Sequence, residues 1–108
     1  MALDLKLGAA VRDAGVALGV FRRTVSVDPP SIAAGAVGNA DVTVAGVAVG
    51  DDVLAIPPDT LEAGLVYRGA TVTAANTVRI NLYNPTAAAI DGIARTWTLI
   101  VFDRTPVV

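Results

Sequence analysis

An all-β domain, an antiparallel β-sandwich of jelly-roll type behind an N-terminal arm, is what the sequence predicts, and three observations carry the prediction. Short runs alternate apolar with polar residues, as in "VRINLY" (Val78 to Tyr83) and "DVTVA" (Asp41 to Ala45); a period of two puts one face of a strand into a core. Turn signals rich in Pro, Gly, Asn and Asp separate these runs at intervals of about ten residues, the spacing of small all-β folds. The apolar residues, 54% of the 108, are mostly Val, Ile, Leu and Ala, with one Trp, two Tyr and two Phe. That composition suits a sheet core assembled from small aliphatic pieces, and a chain of this length fits one domain.

Residues 1 to 20 read as the arm and residues 21 to 108 as the sandwich domain. Leu3, Leu5 and Leu7 alternate with Asp4 and Lys6 as in an amphipathic strand. Gly15 and Gly19 each cost a helix through Ala9 to Val20 about 1 kcal/mol relative to Ala, so the segment is expected to be extended or loosely helical and ordered by packing on something else. Thr24 to Val27 reads as a strand stopped by Asp28-Pro29-Pro30, since proline donates nothing to a ladder. Ser31-Ile32 and the Gly/Ala-rich Ala33 to Ala40 read as a permissive loop, and Asp41 to Ala45 as a strand with Val42 and Val44 on one face.

"GDD", Gly50 to Asp52, turns the chain into Val53 to Ile56, an apolar run expected to be buried on both sides. Pro57 to Gly64 suggests a single helical turn capped by Asp59 or Thr60 and stopped by glycine. Leu65 to Tyr67 and Ala70 to Ala74 lead through "AAN", Ala74 to Asn76, into Thr77 to Tyr83, two alternating runs joined by an Asn-containing turn and therefore a hairpin. Val78, Ile80 and Leu82 should share the buried face. Asn84-Pro85 ends that strand, Thr86 to Ile90 becomes a crossing loop of methyl-sized side chains, and Thr96 to Phe102 is the last strand.

Composition narrows the function classes. With no Cys and no His in the chain, thiolate nucleophiles, Cys-based zinc sites and Ser-His-Asp or Cys-His arrangements have no members to build from. Charged residues are 17% of the chain and the net charge is -2, which supplies no basic footprint for nucleic acid. The longest early apolar run, Ala14 to Phe21, is too short to span a bilayer and lacks the preceding basic segment of a secretory signal, so a soluble protein made in the cytoplasm is expected.

Weighed singly, the chemistry-bearing residues point to structure. "GDD" is a turn, not a polymerase metal hairpin, at this chain length. Asp51, Asp52 and Asp59 have no calcium-loop spacing. Glu62 is the only Glu, and glycosidase chemistry needs two carboxyl groups. Gly35-Ala-Val-Gly38 lacks the context of a phosphate loop. Arg22-Arg23 reads as a salt-bridged or charge-blunted strand edge, and Trp97, among apolar neighbours, as core or interface packing rather than a stacking platform. No catalytic, cofactor-binding or metal residue is expected, and the chain is read as a non-enzyme.

A wider pattern runs from Pro30 to Phe102, about two thirds of the chain: "SIAAG" (Ser31 to Gly35), "VTVAG" (Val42 to Gly46), "VGDDV" (Val49 to Val53), "PPDTLEAGL" (Pro57 to Leu65), "VTAANTV" (Val72 to Val78), "NPTAAAID" (Asn84 to Asp91) and Trp97 in the last strand. In this frame the chain resembles a small β-domain of tailed-bacteriophage virion surface proteins, found in capsid decoration (cement) proteins and in head or tail fibres. The resemblance implies a structural role on the capsid surface, as an oligomer, a trimer in the pattern of such proteins, with the major capsid protein and other copies of itself as partners. It implies no nucleic acid, membrane or cofactor. Candidate assembly contacts are Leu3, Leu5 and Leu7 of the arm and Pro85, Thr86 and Ile90 of the crossing loop. The alternative is a fibre or spike module binding host-surface carbohydrate through Tyr67, Tyr83 or Trp97.

Overall fold

The computed structural model describes residues 16–106, and among them every regular element is a strand. In chain order these are β1 (Val16–Val27), β2 (Ser31–Ile32), β3 (Val37–Thr43), β4 (Asp52–Ile56), β5 (Val66–Ala74), β6 (Thr77–Tyr83), β7 (Ile90–Asp91) and β8 (Arg95–Pro106). They form three antiparallel sheets with strand orders β1-β8-β4, β3-β6-β5 and β2-β7. The all-β expectation therefore holds.

Sequence sets the two central strands. In β6 the alternation of "TVRINLY" buries Val78, Ile80 and Leu82 completely. In β8 the alternate residues Trp97, Leu99 and Val101 are buried in the same way. Both strands are flanked on each side by a ladder partner. Ile80 lies opposite Ala40 of β3 and Ala70 of β5, and Leu99 opposite Arg23 of β1 and Ala55 of β4. The alanines beside the large side chains, Ala40, Ala70 and Ala55, let the inner faces of both three-stranded sheets close on one cluster. Val27, Ala40, Ala55, Ile32 and the loop residues Val44 and Val47 complete it.

Several expectations need correction. The Ala33 to Ala40 stretch is not all loop, because β3 begins at Val37 and ends at Thr43, leaving Val44 to pack as a buried loop residue. Gly38 belongs in that strand for a steric reason: a Cβ there would lie 2.7 Å from the Ile32 side chain, so only glycine lets β2 close over β3. Pro57 to Gly64 makes no helix; two successive tight turns, Pro58 O accepting from Leu61 N and Glu62 O from Leu65 N, carry the chain instead. β5 is continuous from Val66 to Ala74, with a bulge between Tyr67 and Gly69 where the sequence suggested a break. β1 runs unbroken across the expected boundary between Val20 and Phe21.

Candidate assembly surfaces

The crossing loop is built around one buried polar residue. Asn84, fully enclosed, donates through Nδ2 to Ile32 O (2.9 Å) and Ala88 O (2.8 Å) and accepts at Oδ1 from Thr86 N (3.0 Å) and Thr86 Oγ1 (2.6 Å). Its own N–H donates to Ala36 O at 2.9 Å. An asparagine side chain has two donor hydrogens and one carbonyl oxygen, so every group is used, and the loop is fastened to β2 and to the turn before β3. Sequence reasoning took Asn84 only as the strand's end; the Asn-Pro-Thr spacing, which lets the amide fold back on the chain two residues on, was the available signal.

The predicted contact residues of this loop divide. Pro85 is exposed, whereas Thr86 and Ile90 are half-buried. A Cβ on Gly64 would stand 2.7 Å from Thr86 Cγ2 and 3.3 Å from Ile90 Cδ1, and Gly64 has φ +93°. The two side chains therefore pack against the Gly64 turn within the chain. Ile90 also pairs with Ile32 across the β2–β7 ladder. Ala87, Ala88 and Ala89 are the exposed methyls. Leu3, Leu5 and Leu7 lie outside the described residues.

Other frame segments are fastened in the same manner. Asn76, in the left-handed region at φ 60°, turns the β5–β6 hairpin and holds the Val44 to Val47 loop: Asn76 O accepts from Val44 N (2.8 Å), Asn76 N donates to Val47 O (2.9 Å) and Oδ1 accepts from Gly46 N (3.0 Å). In the "GDD" turn Asp51 Oδ2 accepts from Ala48 N at 2.9 Å. Glu62 Oε2 accepts from Arg95 Nε (2.9 Å) and Nη2 (2.8 Å) and from Ile93 N (3.3 Å). Those donors, the Arg95 guanidinium first, hold the Glu62 carboxyl below its usual range against the opposing effect of burial.

The outward faces of the two larger sheets carry different chemistry. On β1-β8-β4 the register places Val20, Phe102 and Asp52 in one row, Arg22, Ile100 and Leu54 in the next, and Thr24, Thr98 and Ile56 in a third. Val20, Leu54 and Ile56 are 57%, 50% and 47% exposed, and Ile100 and Phe102 are partly so. Val53 to Ile56 is thus not buried on both sides. β4 is an edge strand with only Val53 and Ala55 turned inward, and the edge N–H of Ala55 is met by the Tyr67 hydroxyl at 3.3 Å.

On β3-β6-β5 the rows are Asn39 with Asn81, then Asp41 with Arg79 and Thr71, then Thr43 with Thr77. Arg79 and Asp41 make a two-bonded ion pair (2.8 and 3.1 Å). The pairing lowers the Asp41 pKa and raises that of Arg79. Only the end row, Val37, Tyr83 and Val66, is apolar.

The remaining candidates resolve as follows. Arg22 and Arg23 lie on the edge strand β1; Arg23 donates to Arg22 O at 3.1 Å and its guanidinium sits 4.4 Å from the Phe21 ring centroid. Trp97 is 1% exposed and meets Tyr67 edge-to-face at 5.8 Å, which removes it as a stacking platform. Its Nε1 and Glu62 Oε1 are buried with no hydrogen-bond partner among the described residues. Tyr83 remains partly exposed with the Arg68 guanidinium 5.9 Å from its ring. Among the described residues no group of three or more carboxylates is placed to hold a metal, and no helix is long and apolar enough to cross a membrane. Comparison with protein-family models, curated proteins and solved structures gives no match.

Proposed function

We propose that this chain is a structural bacteriophage virion protein, a capsid decoration (cement) protein that binds the outer capsid surface as an oligomer, a trimer by the resemblance, and stabilises the head. The observation that carries the reading is the outward face of β1-β8-β4, where Val20, Leu54, Ile56, Ile100 and Phe102 leave a contiguous apolar surface open. A contiguous apolar face on a small domain is the mark of a subunit that completes its burial in an assembly. Clamping capsid subunits needs contact area, and each bound copy favours the assembled shell by mass action.

Two further points support it. Four of the segments that carry the resemblance are fastened in pairs, "NPTAAAID" to "SIAAG" through Asn84 and "VTAANTV" to "VTVAG" through Asn76, which gives the frame rigidity. The two larger sheets sharing one core suit the two layers of an antiparallel, jelly-roll-like sandwich. The major capsid protein is the partner, and the virion surface the location, in this reading. With Trp97 enclosed, the carbohydrate alternative is reduced to Tyr83 and its neighbours.

The test is co-sedimentation of the purified protein with expanded tailed-phage heads lacking their decoration protein, followed by the temperature at which the heads rupture. Saturable binding in multiples of the capsid's symmetry sites with a raised rupture temperature is the expected result. Heads that sediment without the protein overturn the proposal.

A further inference from the structure

The apolar part of the outer face of β1-β8-β4 is small: Val20, Leu54, Ile56, Ile100 and Phe102 share three rows with Asp52, Arg22, Thr24 and Thr98. Its five partly exposed side chains fall well short of the ~800 Å² per partner that a stable protein–protein interface buries. What they do offer is a row spacing: Ile56 and Leu54 on β4, and Ile100 and Phe102 on β8, recur every second residue, about 6.7 Å apart on a pleated strand. Leu3, Leu5 and Leu7 repeat at the same interval, with Asp4 and Lys6 between them. A strand laid along this face would press three leucines onto the apolar rows and turn both charges to water.

Where the chain leaves the described body decides whose strand that is. β4 covers β8 only as far as the Asp52 and Phe102 pair, whereas β1 and β8 stay paired for four further residues, from Gly19 with Asp103 to Val16 with Pro106. The ladder thus overhangs the body by about 13 Å. At Val16 the chain points away from its own apolar face. Residues 8 to 15 span roughly 26 Å when extended. For that reach to return Leu7 to the Val20 row of its own sheet, the chain must reverse direction; to reach a neighbouring copy beyond the overhang it need not.

We infer that the apolar face of β1-β8-β4 is the docking site for the Leu3 to Leu7 segment of a second copy of this chain, an arm exchange that links copies through the β1–β8 overhang. The inference rests on the proposed reading only in taking the chain to be an oligomer; it requires no capsid.

The absence of cysteine from the sequence gives a direct test. Full-length Leu5→Cys protein is mixed with full-length Leu54→Cys protein carrying a mass tag, and oxidised at low concentration. Near-ultraviolet circular dichroism of Trp97 verifies that each variant is folded. The expected result is a disulfide-linked dimer of mixed mass on a non-reducing gel. It should be lost when Ile56→Asp is added to the acceptor and absent when Asn39→Cys, on the opposite outer face, replaces Leu54→Cys. Three results overturn the inference: no linked product, equal linkage to the Asn39→Cys control, or linkage only within one chain in the Leu5→Cys/Leu54→Cys double variant. Because no capsid is present, failure here leaves head binding to be judged separately, and failure of head binding leaves the cross-link standing.

Discussion

The outward face of β3-β6-β5 and the outward face of β1-β8-β4 are built by the same backbone alternation and carry opposite chemistry. The first presents Asn39, Asn81, Asp41, Arg79, Thr71, Thr43 and Thr77, with one apolar row at its end. The second presents Val20, Leu54, Ile56, Ile100 and Phe102 among two threonines, Arg22 and, at its end, Asp52. An antiparallel sheet needs only one buried face, so the polar face is complete as it stands. The apolar one is not: each exposed aliphatic group keeps about 25 cal/mol per Å² of unrealised burial. On the proposed reading, the difference leaves one side of the molecule to solvent and offers the other to a protein partner.

The largest effect separates inner from outer positions of a single strand pair. Leu99→Ala removes a fully buried side chain from the shared core and should cost about 2–5 kcal/mol, read as a lowered denaturation midpoint. Leu54→Asp, on the adjacent strand but facing outward, should change the stability of the isolated subunit by no more than about 0.5 kcal/mol while reducing the solution mass measured by light scattering. If Leu54→Asp unfolded the protein, or left the mass unchanged, the division of the sheet into a core face and a partner face would be wrong.

Asn84→Ala comes next. It strips the Asn84 donor from Ile32 O and from Ala88 O, the latter still met by Thr86 Oγ1, and the acceptor from Thr86 N. Leaving such buried groups unpaired costs about 1–3 kcal/mol. The loss should appear in hydrogen exchange first at the amides of Thr86 and of β2 and β7. Equal deprotection throughout β6 would show instead that the loop has no stability of its own.

What could be read from the sequence follows from these cases. The inner faces were legible because Val78, Ile80 and Leu82 repeat every second residue between polar neighbours, and burial of that stripe is a local consequence of the pleat. The exposure of Leu54 and Ile56 was not legible. "VLAI" is apolar throughout, and only the strand order, which puts β4 at an edge, decides that half of it meets water. The strand at Val37 to Ala40 was hidden for a related reason. Its Gly38 looks like a loop residue until Ile32 occupies the space its side chain would take. The buried Asn84 staple was half visible, since Asn-Pro marks a turn but not the two carbonyls, one of them distant in sequence, that the amide reaches. The arm leucines were visible as a pattern and the surface proposed to receive them was not, because that surface combines β1, β4 and β8 from three parts of the chain.

Glu62 sharpens the comparison through pH. Its folded-state pKa lies below the ordinary 4.5, chiefly because of the Arg95 hydrogen bonds. The unfolded chain therefore takes up a proton at a higher pH than the folded one. The stabilisation is fully present above pH 4.5 and is lost as pH falls through the lowered folded value. Glu62→Gln keeps an acceptor for Arg95 but not the charge, and should cost about 1 kcal/mol at neutral pH. Its acid limb, followed by Trp97 fluorescence, should be shallower than that of the parent. An unchanged acid limb would mean that the Glu62–Arg95 clamp is not what ties the Pro57 to Leu65 turns to the start of β8.

Asp41 is also paired with an arginine and also has a lowered pKa, yet the smallest effect is expected there. Its side chain is 46% exposed and that of Arg79 41%, against 17% for Glu62 and 23% for Arg95. Water and salt around an exposed pair supply most of what its partner supplies, and holding two side chains in one geometry costs rotamer freedom. Asp41→Asn should therefore leave both the thermal midpoint and the acid limb unchanged, in low salt and in high. The equality of wild type and variant is informative because the two ion pairs share a two-bonded arginine contact and differ in surroundings. Were Asp41→Asn to flatten the acid limb as Glu62→Gln does, the outward face of β3-β6-β5 would have to be shielded from solvent in the assembled protein. The partner surface would then lie on both sides of the molecule.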